Sequence, residues 1–103
     1  MRRVEKRKPH YSLGTIKATF TSVRLLRITK TATRCAEALG ITLDGVIAII
    51  QGMTREQFYK AMTSDVNSAT WQDVYHVPHE SIVLYVKFTT DIESYLVISF
   101  KEK

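Results

Sequence analysis

The sequence predicts an α+β fold, with N-terminal helices packed on one face of a small antiparallel sheet. Three observations favour this class. In roughly the first 60 residues apolar side chains recur at helical spacing, and in the C-terminal third they alternate with polar ones as in strands. The chain has 103 residues, the size of one ordinary domain. We therefore expect residues 1–103 to form a single domain with one core.

The N-terminal third is expected to contain a charged arm followed by a helix. Residues 1–10 are rich in Lys and Arg and lack apolar periodicity, which predicts a charged, basic arm. Ser12 can cap a helix, because Ile16 and Phe20 follow it at helical spacing. Residues 23–28 predict a short extended link to the next helix.

Two more helices are predicted before residue 53. The second begins at Thr31 or Thr33 and ends at Gly40, which occupies the position of a left-handed C-terminal cap. The third is short and buried. Asp44 can cap it, and it contains the apolar run of residues 46–50.

A capping box predicts a fourth helix. Thr54 and Gln57 have the spacing at which a cap residue and a later polar side chain satisfy each other's backbone N–H groups. The helix that starts there would carry Lys60. Residues 64–70 are polar and predict a loop.

The remaining residues predict three strands. Residues 82–89 and 96–101 alternate between two faces, and residues 91–94 supply the turn between them. A further strand covers residues 71–77 and is closed by a proline-containing turn at residues 78–81. One face of this sheet packs against the helices. The residues on its open face are Tyr85, Lys87, Ser99 and Lys101.

Charge is distributed unevenly along the chain. Residues 1–34 contain ten Lys and Arg and one acid, a net +9, whereas the other 69 residues carry −4. Such a cationic segment favours a polyanionic partner, either nucleic acid or an acidic protein, over an arm that only aids solubility.

Several classes of protein are disfavoured by what the sequence lacks. A single cysteine, Cys35, excludes an intrachain disulfide and a cysteine-based zinc site, which favours a reducing cytoplasm. The longest apolar run is far too short for a membrane span. Common nucleotide-binding and hydrolase motifs are missing. His76, His79 and Glu80 flank Pro78 without further ligands, so we expect a surface turn there and no metal site.

Six short motifs occur in order along nearly the whole chain. They are EKRKPH at 5–10, EALG at 37–40, LDG at 43–45, FYKAMT at 58–63, WQDVY at 71–75 and SFKEK at 99–103. These motifs and their spacing closely resemble those of the MqsR family of bacterial toxins.

The resemblance implies a fold, an activity and a partner. The fold would be RelE-like. The activity would be that of a type II toxin, a metal-independent endoribonuclease (an mRNA interferase) that cleaves messenger RNA at GCU-like sites. The partner would be a cognate zinc-containing antitoxin, MqsA, that neutralises the toxin in the cytoplasm. Neither a cofactor nor a membrane is implied.

The resemblance also implies the catalytic residues, since Lys60, Gln72, Tyr85 and Lys101 match positions that family members use. Metal-free RNA cleavage employs the 2′-hydroxyl as nucleophile and needs a base, an acid and positive charge at the phosphate. Lys60 and Lys101 would stabilise that charge, and Gln72 would orient the phosphate. Tyr85 would act as base or acid. The division of roles among Lys60, Tyr85 and Lys101 stays open.

Structural alternatives exist for each residue. Lys60 could be a solvated helix lysine, and Gln72 could satisfy a loop carbonyl. Tyr85 and Lys101 could form an ordinary cross-strand pair. The competing function is a non-catalytic module whose basic surface binds RNA, DNA or an acidic protein.

We expect RNA to be contacted by side chains of the arm and of the open sheet face. His10 could instead tie down the arm. The predicted RNA-binding residues are Arg7, Lys8, His10 and Lys87.

Strand parity places the candidates relative to one another. If the last hairpin closes through three residues, Tyr85 lies opposite Lys101. If the preceding hairpin turns tightly at residues 78–79, Gln72 lies opposite Tyr85. Gln72, Tyr85 and Lys101 would then form a row across three strands on the open face, with Lys60 added from the helix.

Overall fold

The computed structural model describes residues 4–63, 70–91, 93 and 95–103, and the structural statements below refer to these. Three α-helices and a five-stranded antiparallel sheet form an α+β fold, which confirms the predicted class. The strand order is β1-β2-β3-β4-β5, each strand beside the next in the chain. The helices are α1 (Leu13–Thr19), α2 (Lys30–Ala38) and α3 (Leu43–Gln51), and the strands are β1 (Glu5–Lys6), β2 (Phe58–Thr63), β3 (Trp71–His79), β4 (Ile82–Thr90) and β5 (Leu96–Glu102).

Each α-helix begins at a side chain that caps it, as the sequence predicts. The capping residue itself is the predicted one only for α1. The Ser12 hydroxyl accepts the N–H of Thr15 and caps α1, as expected. The cap of α2 is Thr29, whose hydroxyl accepts from Ala32, and not Thr31 or Thr33.

The start of α3 corrects a second predicted cap. Thr42, and not Asp44, caps this helix, and Asp44 lies in the first turn, where a negative charge favours the helix dipole. The predicted left-handed residue after α2 is confirmed, with φ of 73° at Gly40. The expected extended link at residues 23–28 is wrong in part, because Val23–Leu25 form a 3-10 turn.

The predicted fourth helix is wrong. The capping interaction exists, since the Gln57 side chain accepts the N–H of Thr54 at 3.0 Å, but it closes a single 3-10 turn, Arg55–Gln57. The chain then becomes extended at Phe58 and enters β2, so Lys60 lies on a strand. Pairing of β2 with both β1 and β3 outweighs the local helix signal. Residues 64–69 of the predicted loop lie outside the described residues.

One predicted strand register is confirmed and the other is wrong. Tyr85 pairs with Lys101 across β4 and β5, as expected. Tyr85 pairs on its other side with His76 instead of Gln72, because β3 continues through Pro78 and the chain turns at residues 80–81. Among the described residues, β3 pairs with β2 only as far as Tyr75, so Pro78 has a strand partner on one side, in β4, and such an edge tolerates proline.

The turn itself explains the shift in register. Glu80 has a positive φ of 54°, the backbone conformation that two-residue hairpin turns demand. The hairpin therefore closes two residues later than the proline suggests, and Gln72 moves four residues along β3 from the position opposite Tyr85.

The core lies between the helices and one face of the sheet. Phe20 of α1 stacks on Phe88 of β4 with ring centroids 6.2 Å apart. Alternate residues of β3, β4 and β5 point into this core, so their neighbours occupy the open face. No helix among the described residues is both long and apolar enough to cross a bilayer. The principal buried residues are Ile16, Phe20, Ala32, Ala36, Val46, Ile50, Tyr75, Val77, Leu84, Val86, Phe88, Ile98 and Phe100.

The predicted basic arm is attached to the sheet over its described part. Glu5 and Lys6 form β1 against β2. The carboxylate of Asp73, fully buried in β3, accepts the backbone N–H groups of His10 at 2.9 Å and Tyr11 at 2.8 Å. The ring of His10 stacks on that of Trp71, with centroids 5.5 Å apart. His10 therefore ties down the arm, one of the two roles considered for it.

We expect Asp73→Ala to release the arm. Two partly buried N–H groups would lose a charged acceptor, which should lower the free energy of unfolding by about 2 kcal/mol. Hydrogen exchange would show the loss of protection at the amides of His10 and Tyr11, and urea denaturation would give its magnitude.

The matched control is Asp44→Ala, which removes an exposed carboxylate from the first turn of α3. It should cost less than about 1 kcal/mol and leave the arm amides protected. Equal exchange of the His10 and Tyr11 amides in the wild type and in Asp73→Ala would contradict the anchoring role.

Candidate functional site

A cleft of about 190 Å³ lies on the open face of the sheet. It contains three of the four predicted catalytic residues, Lys60, Tyr85 and Lys101, together with the predicted RNA-binding residue Lys87. Its full lining is Tyr59, Lys60, Met62, Val74, Tyr85, Lys87 and Lys101.

Strand register brings these side chains together. Lys60 pairs with Val74 across β2 and β3, and Tyr85 pairs with Lys101 across β4 and β5. Since residues of one parity share a face, four strands contribute to one surface. The register of β2 shifts between Phe58 and Lys60, and a bulge of this kind redirects a side chain. Tyr59, at the shift, turns its ring toward the cleft.

The cleft is cationic. Lys60, Lys87 and Lys101 line it, and no carboxylate is found among its described lining residues. The Lys101 Nζ atom lies 5.9 Å from the centroid of the Tyr85 ring. The Lys60 side chain is 21% exposed, and its Nζ atom lies 2.6 Å from Oε2 of Glu5 on the edge strand β1. The expectation of a solvated helix lysine is therefore wrong for Lys60, which is a half-buried, paired strand residue.

His76 is a site residue that the sequence analysis missed. It lies in the middle of β3 on the open face, and not in a surface turn as expected. Its ring lies between those of Tyr59 and Tyr85, with centroids 4.3 Å and 4.7 Å away. His76 is two positions beyond Val74 and four beyond Gln72 on β3, so strand alternation places all three on the same face. This alternation is the signal that could have revealed it. Within the described residues, no three His, Cys, Asp or Glu side chains are grouped so that they could hold a metal ion.

The environment of His76 keeps its imidazole neutral. The Nε2 atom is buried and has no hydrogen-bond partner among the described residues. Burial, and then the positive charge of Lys103, lower the pKa of His76 from its usual 6.5. An uncharged ring therefore lies beside Tyr85, next to the cleft.

Gln72 lies on the same face but outside the cleft. It pairs with Met62, which lines the cleft at that end. Gln72 lies four positions before His76 on β3, a distance of about 13 Å along a strand. The predicted row of Gln72, Tyr85 and Lys101 is therefore wrong, because Gln72 borders one end of the cleft and does not face Tyr85.

The predicted RNA-binding residues fall into two places. Lys87 lines the cleft, whereas Arg7, Lys8 and His10 line a larger cavity of about 710 Å³. That cavity also includes Tyr75, which belongs to the core face of the sheet, so the two concavities open on different sides of β2 and β3.

Fold and site together define a class of protein. The fold combines helices with a small antiparallel sheet whose open face is cationic. The cleft on that face is lined by the ammonium groups of three lysines and by the phenol of Tyr85. Ammonium groups can bind a phosphate, and a phenol can give or take a proton. This combination is typical of a protein that binds, or acts on, a phosphodiester.

Comparison with known proteins identifies the family. The family described as "Motility quorum-sensing regulator, toxin of MqsA" matches residues 8–102. Over 100 residues the chain is 37% identical to the mRNA interferase toxin MqsR of Escherichia coli (strain K12), an alignment that covers 97% of this chain and 100% of that relative. The chain belongs to the MqsR toxin family, which confirms the resemblance inferred from its motifs.

We expect the stability of the fold to rise with pH in the acidic range because of His76. Its pKa is lower in the folded chain than in the unfolded chain, so the unfolded state binds more protons below about pH 6.5. Protonation therefore favours unfolding, and stability is lost as pH falls through the folded pKa. His76→Phe keeps a ring between Tyr59 and Tyr85 and should flatten this slope.

Urea midpoints measured from about pH 5 to pH 7 would check this dependence. His79→Phe removes a histidine from the end of β3, outside the three-ring stack, and should retain the wild-type slope. The same slope in His76→Phe and the wild type would rule His76 out as its source.

Proposed function

We propose that this chain is a toxin endoribonuclease that cleaves messenger RNA in the cleft on the open sheet face. The observation that carries the proposal is the convergence of Lys60, Lys87 and Lys101 on Tyr85, in a chain of this family. The relative from Escherichia coli is named an mRNA interferase, and the chain spans that relative completely.

The proposed reaction is an internal transesterification. The 2′-hydroxyl attacks the adjacent phosphorus and loses its proton, and the bond from phosphorus to the 5′-oxygen breaks. The products are a 2′,3′-cyclic phosphate and a 5′-hydroxyl, which takes up a proton. No metal is required, because ammonium groups can stabilise the added negative charge of the phosphorane.

Residue roles follow from position in the cleft. Lys60 and Lys101 reach it from opposite sides of Tyr85, so we assign them to the phosphate charge. The phenol of Tyr85 lies between them and is assigned a proton transfer. Gln72, at the Met62 end, would orient the RNA where it enters or leaves the cleft. Lys87 is assigned a backbone phosphate.

Selectivity and neutralisation are also proposed, on the support of the family resemblance. Cleavage would occur at GCU-like sequences in the cytoplasm, and an MqsA-like antitoxin would bind the toxin. The family description names such an antitoxin. The net charge of +5 is a feature that an acidic protein partner can engage.

The competing function, a non-catalytic binding module, predicts the same salt-sensitive RNA binding. Cleavage of RNA distinguishes the endoribonuclease from the binding module. Purified protein incubated with a transcript in excess EDTA should produce discrete cuts with cyclic phosphate ends. Intact RNA at stoichiometric protein would favour the binding module instead.

We expect Tyr85→Phe to lower kcat by about 10²-fold or more, the usual consequence of losing a proton-transfer group. The ring would remain in place between His76 and Lys101, so the melting temperature should change little. Single-turnover cleavage of a labelled transcript, with thermal denaturation in parallel, measures both effects.

Tyr95→Phe is the matched control, since Tyr95 is exposed outside the cleft and its ring packs against Arg27. It should cleave at the wild-type rate. Full activity of folded Tyr85→Phe would remove Tyr85 from the mechanism and leave the lysines as the proton carriers.

Glu5→Gln is expected to tighten RNA binding. The Glu5 carboxylate holds the Lys60 ammonium group at 2.6 Å, so a substrate phosphate must compete with it. Removing the charge should lower KM several-fold at low salt, with a smaller effect on kcat, because competition for Lys60 affects binding first.

Glu37→Gln removes the same charge from an exposed position on α2 and controls for a general increase in positive charge. Equal changes of KM in both variants would show that net charge, and not release of Lys60, is responsible.

A further inference from the structure

The larger cavity has features of a binding site that the proposed reaction leaves unused. Its volume is about 710 Å³, and it lies where the arm passes from the edge of the sheet to the helix side. Three of its lining residues are cations that stay charged at neutral pH, and its described lining contains no carboxylate. The lining residues that matter here are Arg7, Lys8, His10, Arg55, Phe58 and Tyr75.

The floor of the cavity contains a hydrogen-bond donor without an acceptor. The Tyr75 side chain is fully buried, and its hydroxyl has no hydrogen-bond partner among the described residues. Burial and the negative charge of Asp73 raise the pKa of Tyr75 to about 12, while Arg55 opposes them. The hydroxyl therefore keeps its proton and can donate it to an oxygen atom that enters the cavity.

Aromatic surface lies next to the cations. The rings of Phe58 and Tyr75 meet edge to face, with centroids 5.5 Å apart, and Arg55 lines the same cavity. A nucleotide has the complementary parts, since its phosphate needs cations and its base stacks on aromatic rings. A buried phenol that can donate to a phosphate or base oxygen completes the match.

The cavity is close to the cleft along the chain. Phe58 lines the cavity and Tyr59 lines the cleft, and consecutive Cα atoms are about 3.8 Å apart. The shortest way from the cleft to the cavity would pass Tyr59 and Phe58 at the start of β2, away from the two residues, Ala61 and Met62, that pair with β1.

We propose that this cavity binds a nucleotide of the same RNA strand outside the cleaved bond, with its phosphate on Arg55, its base against Phe58 and one of its oxygen atoms on the Tyr75 hydroxyl. The inference rests on the proposed function for its ligand, single-stranded RNA. It adds a second binding site to the cleft and makes affinity depend on RNA length.

The test measures binding without cleavage. The probe is a fluorescently labelled RNA of about eight nucleotides with a 2′-O-methyl group on every ribose, titrated with protein and followed by anisotropy. Arg55→Ala should weaken binding about tenfold and reduce the slope of log affinity against log salt by about one, as expected for a lost phosphate contact. The matched control is Arg24→Ala, which removes an exposed arginine outside both concavities and should leave both quantities near the wild type.

Tyr75→Phe separates binding from structure. The ring and its packing remain, and a buried hydroxyl without a partner is removed, so the melting temperature should hold or rise. RNA binding should nevertheless weaken several-fold, because the donor to the nucleotide is lost. A purely structural role for Tyr75 would not combine these two results.

Each alternative outcome is decisive. Equal affinity and salt slope in Arg55→Ala and Arg24→Ala would overturn the proposal, as would full binding by Tyr75→Phe. A wild-type chain that cleaves long RNA while Arg55→Ala keeps its KM would overturn the cavity site and leave the proposed function standing. Arg55-dependent RNA binding without any cleavage would support the cavity site and overturn the proposed function. Displacement of the RNA by a glutamate-rich peptide, with Arg55→Ala retaining full RNA affinity, would assign the cavity to an acidic protein instead.

Discussion

The buried carboxylate of Asp73 is the interaction on which the rest of the surface depends. It accepts two consecutive backbone N–H groups, those of His10 and Tyr11, and so fixes the N-terminal segment to the middle of the sheet. Burial raises the pKa of Asp73, and the two N–H groups act against that rise. Because the segment is held there, β1 can pair with β2, and Glu5 reaches Lys60. The geometry of a lysine in the cleft thus depends on a carboxylate that is not in the cleft.

The alternation of side chains along β2 and β3 allows two short segments to serve both concavities. Phe58 faces the helix side and Tyr59 the open side, while Tyr75 and His76 are divided in the same way across β3. Each of the two strands places one ring on the core side of the sheet and the ring of the following residue on the open side. A one-residue slip would exchange all of them, so the pairing of β2 with β3 specifies both surfaces at once.

The sequence predicts the last hairpin well and the region around Lys60 poorly, for physical reasons. Tyr85 and Lys101 lie on long strands with uninterrupted alternation, and the length of the turn fixes their register. Lys60 follows a capping box, a local signal that is real, but pairing with strands distant in sequence decides the conformation beyond Gln57. The position of Gln72 depends on whether Pro78 ends β3. This is decided by the pairing of the last residues of β3 with β4, a tertiary contact that the local sequence does not specify.

The chemistry of the cleft narrows the division of roles under the proposed reaction. A lysine ammonium group has hydrogen-bond donors and no lone pair that could accept a proton, so the lysines supply charge and can serve as acids. His76 is not among the side chains that line the cleft, and its Nε2 atom is buried. No carboxylate lines the cleft among the described residues, and Glu5 is engaged with Lys60 at its edge. Of the residues predicted to be catalytic, Tyr85 therefore remains as the group that can both give and receive a proton, and the neutral ring of His76 beside it adds no competing charge.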